Sequence, residues 1–559
     1  MSFRSLIAVP FILLTLTVGA STTPVTPTDA GALNSTDRLS QETTSILVQG
    51  VELATLEAAV ARVGARVTHR IPLIGALAIE ATEKQQSDLA ADLPTLRWSE
   101  NRSVRTANNG NGNSNGMDWS GYADFPALVG ADALHDEGIV GEGITVAVLD
   151  SGLWIHPHLY LDPDWDWRLL DCYDAIKDRA WPINDRFGHG THVTSLILSS
   201  EEAGDGSGRY NSMAPGADLV VVKAFDRDGM STYADILRGL QWIADHQGEH
   251  DIRVLNLSFS APPASLYWDD PINQAVMQLW QSGIVVVTSA GNQGPDPFTI
   301  GVPGNTPYVI TVGAMSDNYT PDDASDDILT SFTSAGPTFE AFVKPEVVAP
   351  GGHIVGLQRR GHTLAQQRPE HRVGRHHFVM SGTSQAAAVT SGLVALMLQV
   401  EPNLTPDEVK CRLIDSARPA MDGDQPAYDI LQQGAGRIAA AALDNEAVGC
   451  ANGGLDIAKD LAGIEHYIGP VRQNDDLEFV LDGLDKTWDG TYQVDASPWL
   501  DASPWLDASP WLDASPWLDA SPWLDASPWL DASPWLDASP WLDSNLSEGV
   551  GVNIWVDQE

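Results

Sequence analysis

Three short motifs place a carboxylate, an imidazole and a hydroxyl at well-separated points of the chain. They read VLDSG around Asp150, HGTHV around His189 and GTSQAA around Ser384. A serine becomes a strong nucleophile for acyl transfer when a histidine removes its proton and a carboxylate orients that histidine. The order Asp, His, Ser along the chain is one that is known for such triads. The motifs therefore predict nucleophilic catalysis if the fold brings the three side chains together.

The sequence around each motif indicates the element that must position it. Ile144–Leu149 is an apolar run typical of a buried parallel strand, and Asp150 follows at the carboxyl end, where α/β sheets bind ligands. Glycines beside His189 allow close backbone approach, and Ser384 begins a helix whose N-terminus stabilises negative charge. Each motif alone also fits a role other than nucleophilic catalysis. Asp150 fits a turn, Ser384 fits a helix cap, and His189 with His192 fits a metal pair, although no third ligand of suitable spacing follows.

Together these motifs resemble the subtilisin-like serine proteases, or subtilases. Two further matches are SAGN, which ends at Asn292, and QGAG at 433–436, which resembles the family's closing turn before its last helix. The resemblance covers roughly residues 117–445. It implies that Ser384 is the nucleophile, His189 its general base and acid, and Asp150 the carboxylate that orients the imidazole. It also implies that Asn292 donates its side-chain amide to the oxyanion, together with the backbone N–H of Ser384.

The resemblance further implies two walls of a substrate groove, where a peptide would add as a β-strand. The implied substrate contacts are Ser258, Gly229, Ser231, Ala290 and Gly291. Three positions depart from the family pattern: Ser260 replaces a usual glycine, and Gln385 and Ala388 replace a usual Met and Pro. Ser260 is expected to narrow the specificity pocket, while Gln385 and Ala388 carry no chemistry, so the expected activity stands. A broad preference for apolar or aromatic side chains is the default expectation.

The predicted fold class is α/β, with a subtilisin-like parallel sheet and helices on both of its faces. Residues 44–105 show a β-α-β-β-α-β order, which predicts a small ferredoxin-like α+β domain similar to the family's inhibitory prodomain. The predicted segments are a signal peptide (1–20), a linker (21–43), the prodomain (44–105), the catalytic domain (117–445), a linker or small hairpin segment (446–494), an eight-copy DASPWL repeat (495–542) and a C-terminal tail (543–559).

The N-terminal residues predict export. Arg4 precedes the apolar run Leu6–Val18, and small residues near Ala20 offer a cleavage site. A membrane anchor is the alternative, but the run is short for a membrane span. We therefore expect a secreted protein, either extracellular or in the cell envelope.

The charge balance bears on the kind of partner that the protein binds. The 559 residues include 31 Lys and Arg against 75 Asp and Glu, a formal net charge of −44. This argues against nucleic acid as the main partner. We expect the protein to be a monomer. Its expected partners are protein or peptide substrates, and its own prodomain is the expected inhibitor. Residues 354–377 are the exception, with five Arg and four His against one Glu. They predict either a long surface hairpin or loop, or a contact with acidic substrate or with the protein's own body.

The predicted chemistry requires no cofactor, and no metal ligands are evident. The acidic pairs at 322–323 and 326–327 leave a structural Ca²⁺ ion as an alternative to a solvated loop. In an exported chain Cys411 and Cys450 are candidates for a disulfide, which would leave Cys172 free or buried.

The C-terminal repeat, Asp-Ala-Ser-Pro-Trp-Leu, occurs eight times between residues 495 and 542. A proline in every copy excludes a continuous helix and an ordinary central strand. Three interpretations stay open: an extended tail, a stacked array that contacts wall polymer or carbohydrate through tryptophan, and an interaction tag. Before the repeat, Leu477–Leu481 and Trp488–Tyr492 predict a small hairpin.

Overall fold

The computed structural model of the protein describes residues 43–104, 125–181, 183–203, 208–320, 326–422, 425–473, 479–481 and 551–552. The predicted signal peptide, the first linker up to residue 42, the DASPWL repeat and most of the C-terminal tail lie outside the described residues.

The first described unit spans residues 43–104 and has its own hydrophobic core, to which Val48, Leu56, Val60, Leu77 and Ile79 contribute. Its elements are β1 (Thr43–Gln49), α1 (Leu53–Val63), β2 (Arg66–Ile71), a 3-10 helix (Pro72–Ile74), β3 (Ala76–Thr82), α2 (Glu83–Asp92), β4 (Arg97–Glu100) and β5 (Ser103–Val104). The sheet has the order β2-β3-β1-β4 and is antiparallel throughout. This is the strand order of a ferredoxin-like domain.

The end of this unit differs from the expectation of one closing strand over Leu96–Val104. Strand β4 ends at Glu100, and β5 leaves the sheet to pair with a strand of the following unit. Alternation of side chains marks a strand but does not say which sheet edge it joins.

The second unit begins at residue 125. Its first elements are α3 (Phe125–Val129), α4 (Ala131–Asp136), β6 (Thr145–Asp150), α5 (Pro157–Tyr160), β7 (Leu169–Asp174), β8 (Arg179–Ala180), α6 (His189–Leu198), β9 (Asp218–Lys223), β10 (Ser231–Thr232), α7 (Tyr233–His250), β11 (Ile252–Leu257), β12 (Phe259–Ser260), α8 (Pro271–Gln281) and β13 (Val285–Ser289).

Its later elements are β14 (Ile310–Ser316), β15 (Ile328–Leu329), β16 (Val347–Pro350), β17 (Ile354–Leu357), α9 (Thr363–Gln367), a 3-10 helix (Pro369–His371), β18 (Arg372–Val373), β19 (His377–Met380), α10 (Thr383–Val400), α11 (Pro406–Ser416), β20 (Met421–Asp422), β21 (Gln425–Pro426), α12 (Ile430–Gln433), a 3-10 helix (Ala440–Ala442), α13 (Ile457–Leu461), β22 (Val471–Gln473), β23 (Phe479–Leu481) and β24 (Gly551–Val552).

A mainly parallel sheet forms the centre of this unit. Its order is β15-β14-β13-β11-β6-β9-β7-β8, with β16 beside β14. The described pairs β7–β8 and β14–β15 are antiparallel, so the sheet is mixed at its margins, which the sequence did not predict. The central strands β6 and β13 are buried along their whole length, in agreement with their apolar runs. Their carboxyl ends lie at one edge of the sheet, where Asp150 ends β6.

Two pairs of helices pack on this sheet. Helix α6 packs on α10, and α7 packs on α8. Helix α10 has the length and apolar composition of a membrane span, but most of its residues are buried inside the protein. It is therefore the central core helix of this unit, and its N-terminus carries Ser384.

The basic segment 354–377 belongs to a hairpin. Strands β17, β19 and β18 form an antiparallel sheet, and α9 lies in the connection between them. The segment is not simply an exposed loop, because His362, Leu364 and Ala365 are buried against the rest of the protein. Its arginines 359, 360 and 375 are exposed.

Residues 446–473 pack against the body instead of forming an extended linker. The buried Asp460 carboxylate accepts hydrogen bonds from the hydroxyls of Tyr267 (2.6 Å) and Tyr308 (2.9 Å). The expected hairpin also differs, because Phe479–Leu481 pairs with Val471–Gln473. The predicted partner strand at 488–492 lies outside the described residues.

Two further features concern the end of the catalytic region. Helix α11 begins with a capping box of Thr405 and Glu408, and its Cys411 forms a disulfide with Cys450, the pair named as candidates from the sequence. The QGAG turn follows α12, but the next helical element is only the short 3-10 helix at 440–442. This is shorter than the last helix that the family resemblance implied.

Candidate active site

Asp150 and His189 form a buried pair at the carboxyl edge of the sheet. Asp150 is the last residue of β6, and His189 is the first residue of α6. The imidazole Nδ1 lies 2.8 Å and 2.9 Å from the two carboxylate oxygens. A carboxylate on Nδ1 fixes the orientation of the ring and favours the tautomer in which Nε2 can accept a proton.

The glycine after His189 is needed for this approach. A Cβ at Gly190 would lie 2.5 Å from the carbonyl oxygen of Gly152 and 3.1 Å from the Asp150 side chain. The Gly190 N–H instead donates to Ser151 Oγ at 2.8 Å. The glycine therefore allows the first turn of α6 to lie directly against the end of β6.

Asp185 supports the pair from behind, and the sequence analysis missed it. Its carboxylate accepts hydrogen bonds from Ser151 Oγ (3.0 Å), from Gly188 N–H (2.7 Å) and from both the N–H and the hydroxyl of Thr191. Burial works against ionisation, but nearby His362 and Lys223 and the Thr191 hydrogen bonds hold the pKa of Asp185 below its usual value. The only sequence feature that points to Asp185 is its position three residues before Gly188, close to the HGTHV motif.

His192 is a core residue, not a metal ligand. It is buried, and its Nε2 lies 3.1 Å from the carbonyl oxygen of Phe378. Burial lowers the pKa of His192 to about 3. The neutral ring packs between α6 and the strand that leads to Ser384, which excludes the paired-histidine interpretation for this side chain.

Ser384 is the second residue of α10 and is fully buried in the described structure. Its Oγ donates to the backbone carbonyl of Ser258 at 3.1 Å, and Ser258 Oγ donates back to the Ser384 carbonyl at 3.1 Å. Asn256, a residue that the sequence analysis missed, donates to Ser258 Oγ at 2.9 Å and accepts from Ser391 further along α10. These bonds fix the start of α10 against the end of β11.

Asn292 lies beside the same helix N-terminus. Its Oδ1 accepts two hydrogen bonds from Thr383, one from the N–H at 3.0 Å and one from the hydroxyl at 2.9 Å. Because the oxygen is held on Thr383, the amide Nδ2 is turned away from Thr383. Gly291 makes this possible: its φ is 118°, and its N–H donates to Thr383 Oγ1 at 3.2 Å. Ala290, just before it, is buried.

The predicted groove walls lie on two short strands. Gly229, with φ 71°, makes the turn that leads to Ser231 in β10, and Ser258 directly precedes β12. Strand β10 pairs antiparallel with β5, so that Val104 is opposite Ser231. Strand β12 pairs antiparallel with β24 near the C-terminus. Each of the two wall strands therefore pairs with another strand of the same chain.

The described carboxylates of the acidic loop have partners within the chain. Asp326 accepts hydrogen bonds from Thr320 and Asn318, and Asp327 pairs with Arg437. Residues 322–323 lie outside the described part of the chain. Over the residues that the structure describes, no three His, Cys, Asp or Glu side chains form a group that could hold a metal ion.

Comparison with known proteins places this geometry in context. The model of the subtilase family matches residues 141–443, which is more than half of the chain. Serine protease AprX of Bacillus subtilis is 39% identical over 295 residues, which cover 52% of this chain and 64% of AprX. Subtilisin E of the same organism is 31% identical over 290 residues, 51% of this chain and 64% of the relative. The chain thus matches just under two thirds of the length of these two relatives.

A solved structure supports the fold. Fervidolysin from Fervidobacterium pennivorans, described as a keratinolytic enzyme related to subtilisin, superposes with a TM-score of 0.55 at 22% identity. The match covers 72% of this chain and 61% of fervidolysin. At this identity the likeness establishes the fold alone. Together with the family match, it confirms the resemblance read from the motifs: the chain belongs to the subtilase family.

Proposed function

We propose that the protein is a secreted serine endopeptidase made as a zymogen, in which Ser384, His189 and Asp150 act as a catalytic triad. The observation that carries the proposal is the buried contact between both Asp150 oxygens and His189 Nδ1. The similarity to AprX, which is a serine protease, supports the same class of reaction.

In the proposed reaction His189 Nε2 removes the proton of Ser384 Oγ as the oxygen attacks the scissile carbonyl. The resulting imidazolium is stabilised by Asp150 and then gives its proton to the leaving amine. Water repeats the sequence on the acyl-enzyme. In the structure Ser384 Oγ lies 3.1 Å from the Ser258 carbonyl oxygen, to which it can donate.

The oxyanion of each tetrahedral intermediate is stabilised by Asn292 Nδ2 and by the backbone N–H of Ser384. Thr383 supports this role because it holds Asn292 Oδ1 with two hydrogen bonds. A donor that is already oriented needs no reorganisation when negative charge develops. The N-terminal end of α10 adds the favourable field of an 18-residue helix.

Residues 44–105 act as the inhibitory prodomain in this proposal. Arg102 donates to the Tyr233 hydroxyl at 2.7 Å and lies 3.8 Å from the Asp270 carboxylate, and Asn101 accepts from the Ala234 N–H at 3.0 Å. These contacts hold residues 101 and 102 beside β10, so that the following strand β5 pairs with this groove wall. The chain then continues toward residues 105–116, which include the asparagine- and glycine-rich segment 108–116, and we expect self-cleavage near these residues.

The remaining features of the proposal come from the sequence. The N-terminal apolar run supports export. Apolar or aromatic side chains are the expected substrate preference, and the mature enzyme is expected to be a monomer. The reaction requires no organic cofactor, and a structural Ca²⁺ ion stays a hypothesis. The repeat tail is proposed to contact wall polymer or carbohydrate.

A fluorophosphonate reagent, which modifies activated serines, tests the proposal. We expect one added group on the peptide that contains Ser384 and none in Ser384→Ala. Ser195→Ala is the matched control, because Ser195 Oγ is hydrogen-bonded to the His192 carbonyl (2.7 Å) and to Leu357 N–H (2.8 Å). This variant should be labelled like the wild type. Equal labelling of Ser384→Ala would contradict the assignment.

A further inference from the structure

Four exposed arginines form a basic patch in a strongly acidic protein. They are Arg186, Arg359, Arg360 and Arg375, here called the arginine rim. Within the described residues, none of them lies within ion-pair distance of a carboxylate. Arg360 donates to the backbone carbonyl of Gly374, which is a neutral acceptor.

This arrangement is unusual for the chain. Acidic residues outnumber basic ones by 75 to 31. Several exposed arginines elsewhere pair with carboxylates, as Arg62 does with Asp92 (2.5 Å) and Arg66 with Glu80 (2.6 Å), whereas the isolated Arg418 is exposed without an ion pair within the described residues. Unpaired like charges repel each other, so clustering them contributes nothing to folding stability.

The rim lies next to the candidate active site. The carbonyl of Arg186 accepts the N–H of Thr363, which joins the loop before His189 to the basic hairpin. On that hairpin, His362 lies so close to Gly188 that a Cβ there would be 2.8 Å from the His362 Cβ. The ring of His376, adjacent to Arg375, packs on Trp154 with centroids 5.4 Å apart. Trp154 follows Asp150 by four residues.

We propose that the arginine rim binds acidic side chains of polypeptide substrates close to the scissile bond. The inference rests on the proposed endopeptidase function and names a substrate class for that site. Guanidinium groups match carboxylates in charge and in planar, two-point geometry. The acidic surface of the rest of the protein repels such substrates, so the rim supplies the local attraction that directs them to the site.

The test compares peptides that share one cleavage core and differ only in their flanks, which carry Glu-Glu, Gln-Gln or Lys-Lys on either side of the scissile bond. At low ionic strength we expect kcat/KM for the acidic peptide to exceed that of the neutral peptide by about 3- to 10-fold. High salt should reduce the ratio.

Arg359→Gln/Arg375→Gln removes two of the four rim charges and should bring the ratio closer to one, with the neutral peptide unaffected, because neither side chain makes a hydrogen bond within the described residues. Arg359→Glu/Arg375→Glu should lower the ratio further. The control is Arg418→Gln/Lys459→Gln, which changes two exposed basic residues outside the rim. It alters the net charge by the same amount as Arg359→Gln/Arg375→Gln and should keep the wild-type ratio.

A wild-type ratio that survives in both rim variants would overturn the inference. The chain's own tail is also acidic, so the experiment is repeated on the full chain with the eight repeat aspartates changed to Asn. We expect the ratio to stay equal or rise; its loss would assign the effect to the tail and overturn the proposal. Failure of the endopeptidase function itself would appear differently, as no cleavage of any peptide or equal cleavage by Ser384→Ala.

Discussion

Removal of the Asn292 side chain tests whether this amide is an oriented oxyanion donor. Two hydrogen bonds from Thr383, at 3.0 Å and 2.9 Å, hold Oδ1 and thereby fix Nδ2. Each such bond is worth about 0.5–1.5 kcal/mol, so a flipped amide is rare before substrate binds. Asn292→Ala should therefore lose the full value of an oriented donor, ~10²–10³ in kcat, or about 2.7–4 kcal/mol of transition-state stabilisation.

The assay is steady-state hydrolysis of one peptide substrate by mature enzyme, with kcat and KM separated. KM should change little, because the oxyanion exists only in the transition state and the intermediates. Thr383→Val is the matched control. It removes the hydroxyl bond but keeps the N–H bond to Asn292, so a smaller fall of about 2- to 10-fold is expected.

Two results would refute this reasoning. One is a fall in kcat of less than about tenfold for Asn292→Ala, well below the usual cost of losing an oxyanion donor. The other is a loss confined to KM, which would make Asn292 a substrate-binding residue. A Thr383→Val effect as large as that of Asn292→Ala would assign the chemistry to Thr383 instead.

Three predictions concern stability. Burial raises the pKa of Glu340 from 4.5 to about 7. Between these two pH values the folded state keeps a proton that the unfolded state loses. The free energy of unfolding therefore falls as the pH rises from 4.5 to about 7. Glu340→Gln should raise stability by about 3 kcal/mol in urea titrations at pH 8 and change it little at pH 4. Cys411→Ser should cost up to ~4 kcal/mol in thermal unfolding, because the disulfide to Cys450 closes a loop of 39 residues. Asp460→Asn should cost about 3 kcal/mol and speed hydrogen exchange at 446–473, since two buried tyrosine hydroxyls donate to this carboxylate.

The elements that carry the motifs could be predicted from local sequence. The apolar run before Asp150 forms β6 because a strand buried on both faces must be apolar throughout. Gly188 is the N-cap residue of the helix that begins at His189, and a capping box of Thr405 and Glu408 starts the helix of Cys411. In each case the signal lies within a few residues of the element that it specifies.

The supporting residues could not be predicted in the same way. Asp185 acts on the triad region through loop contacts, and Asn256 contacts α10 from residues more than a hundred positions earlier in the chain. Asp460 likewise binds the hydroxyl of Tyr267, 193 positions away. No periodicity or motif marks such partners, because only the tertiary fold brings them together. The departure of β5 from its sheet has the same cause.

Intact mass of the purified chain, as wild type and as Ser384→Ala, tests the central claim most directly. The account predicts that the wild type loses about one hundred N-terminal residues, with the new terminus within 105–116, and that Ser384→Ala does not. The variant should retain the N-terminal unit on β10. Loss of the same residues from both chains, or from neither, would contradict self-processing by Ser384.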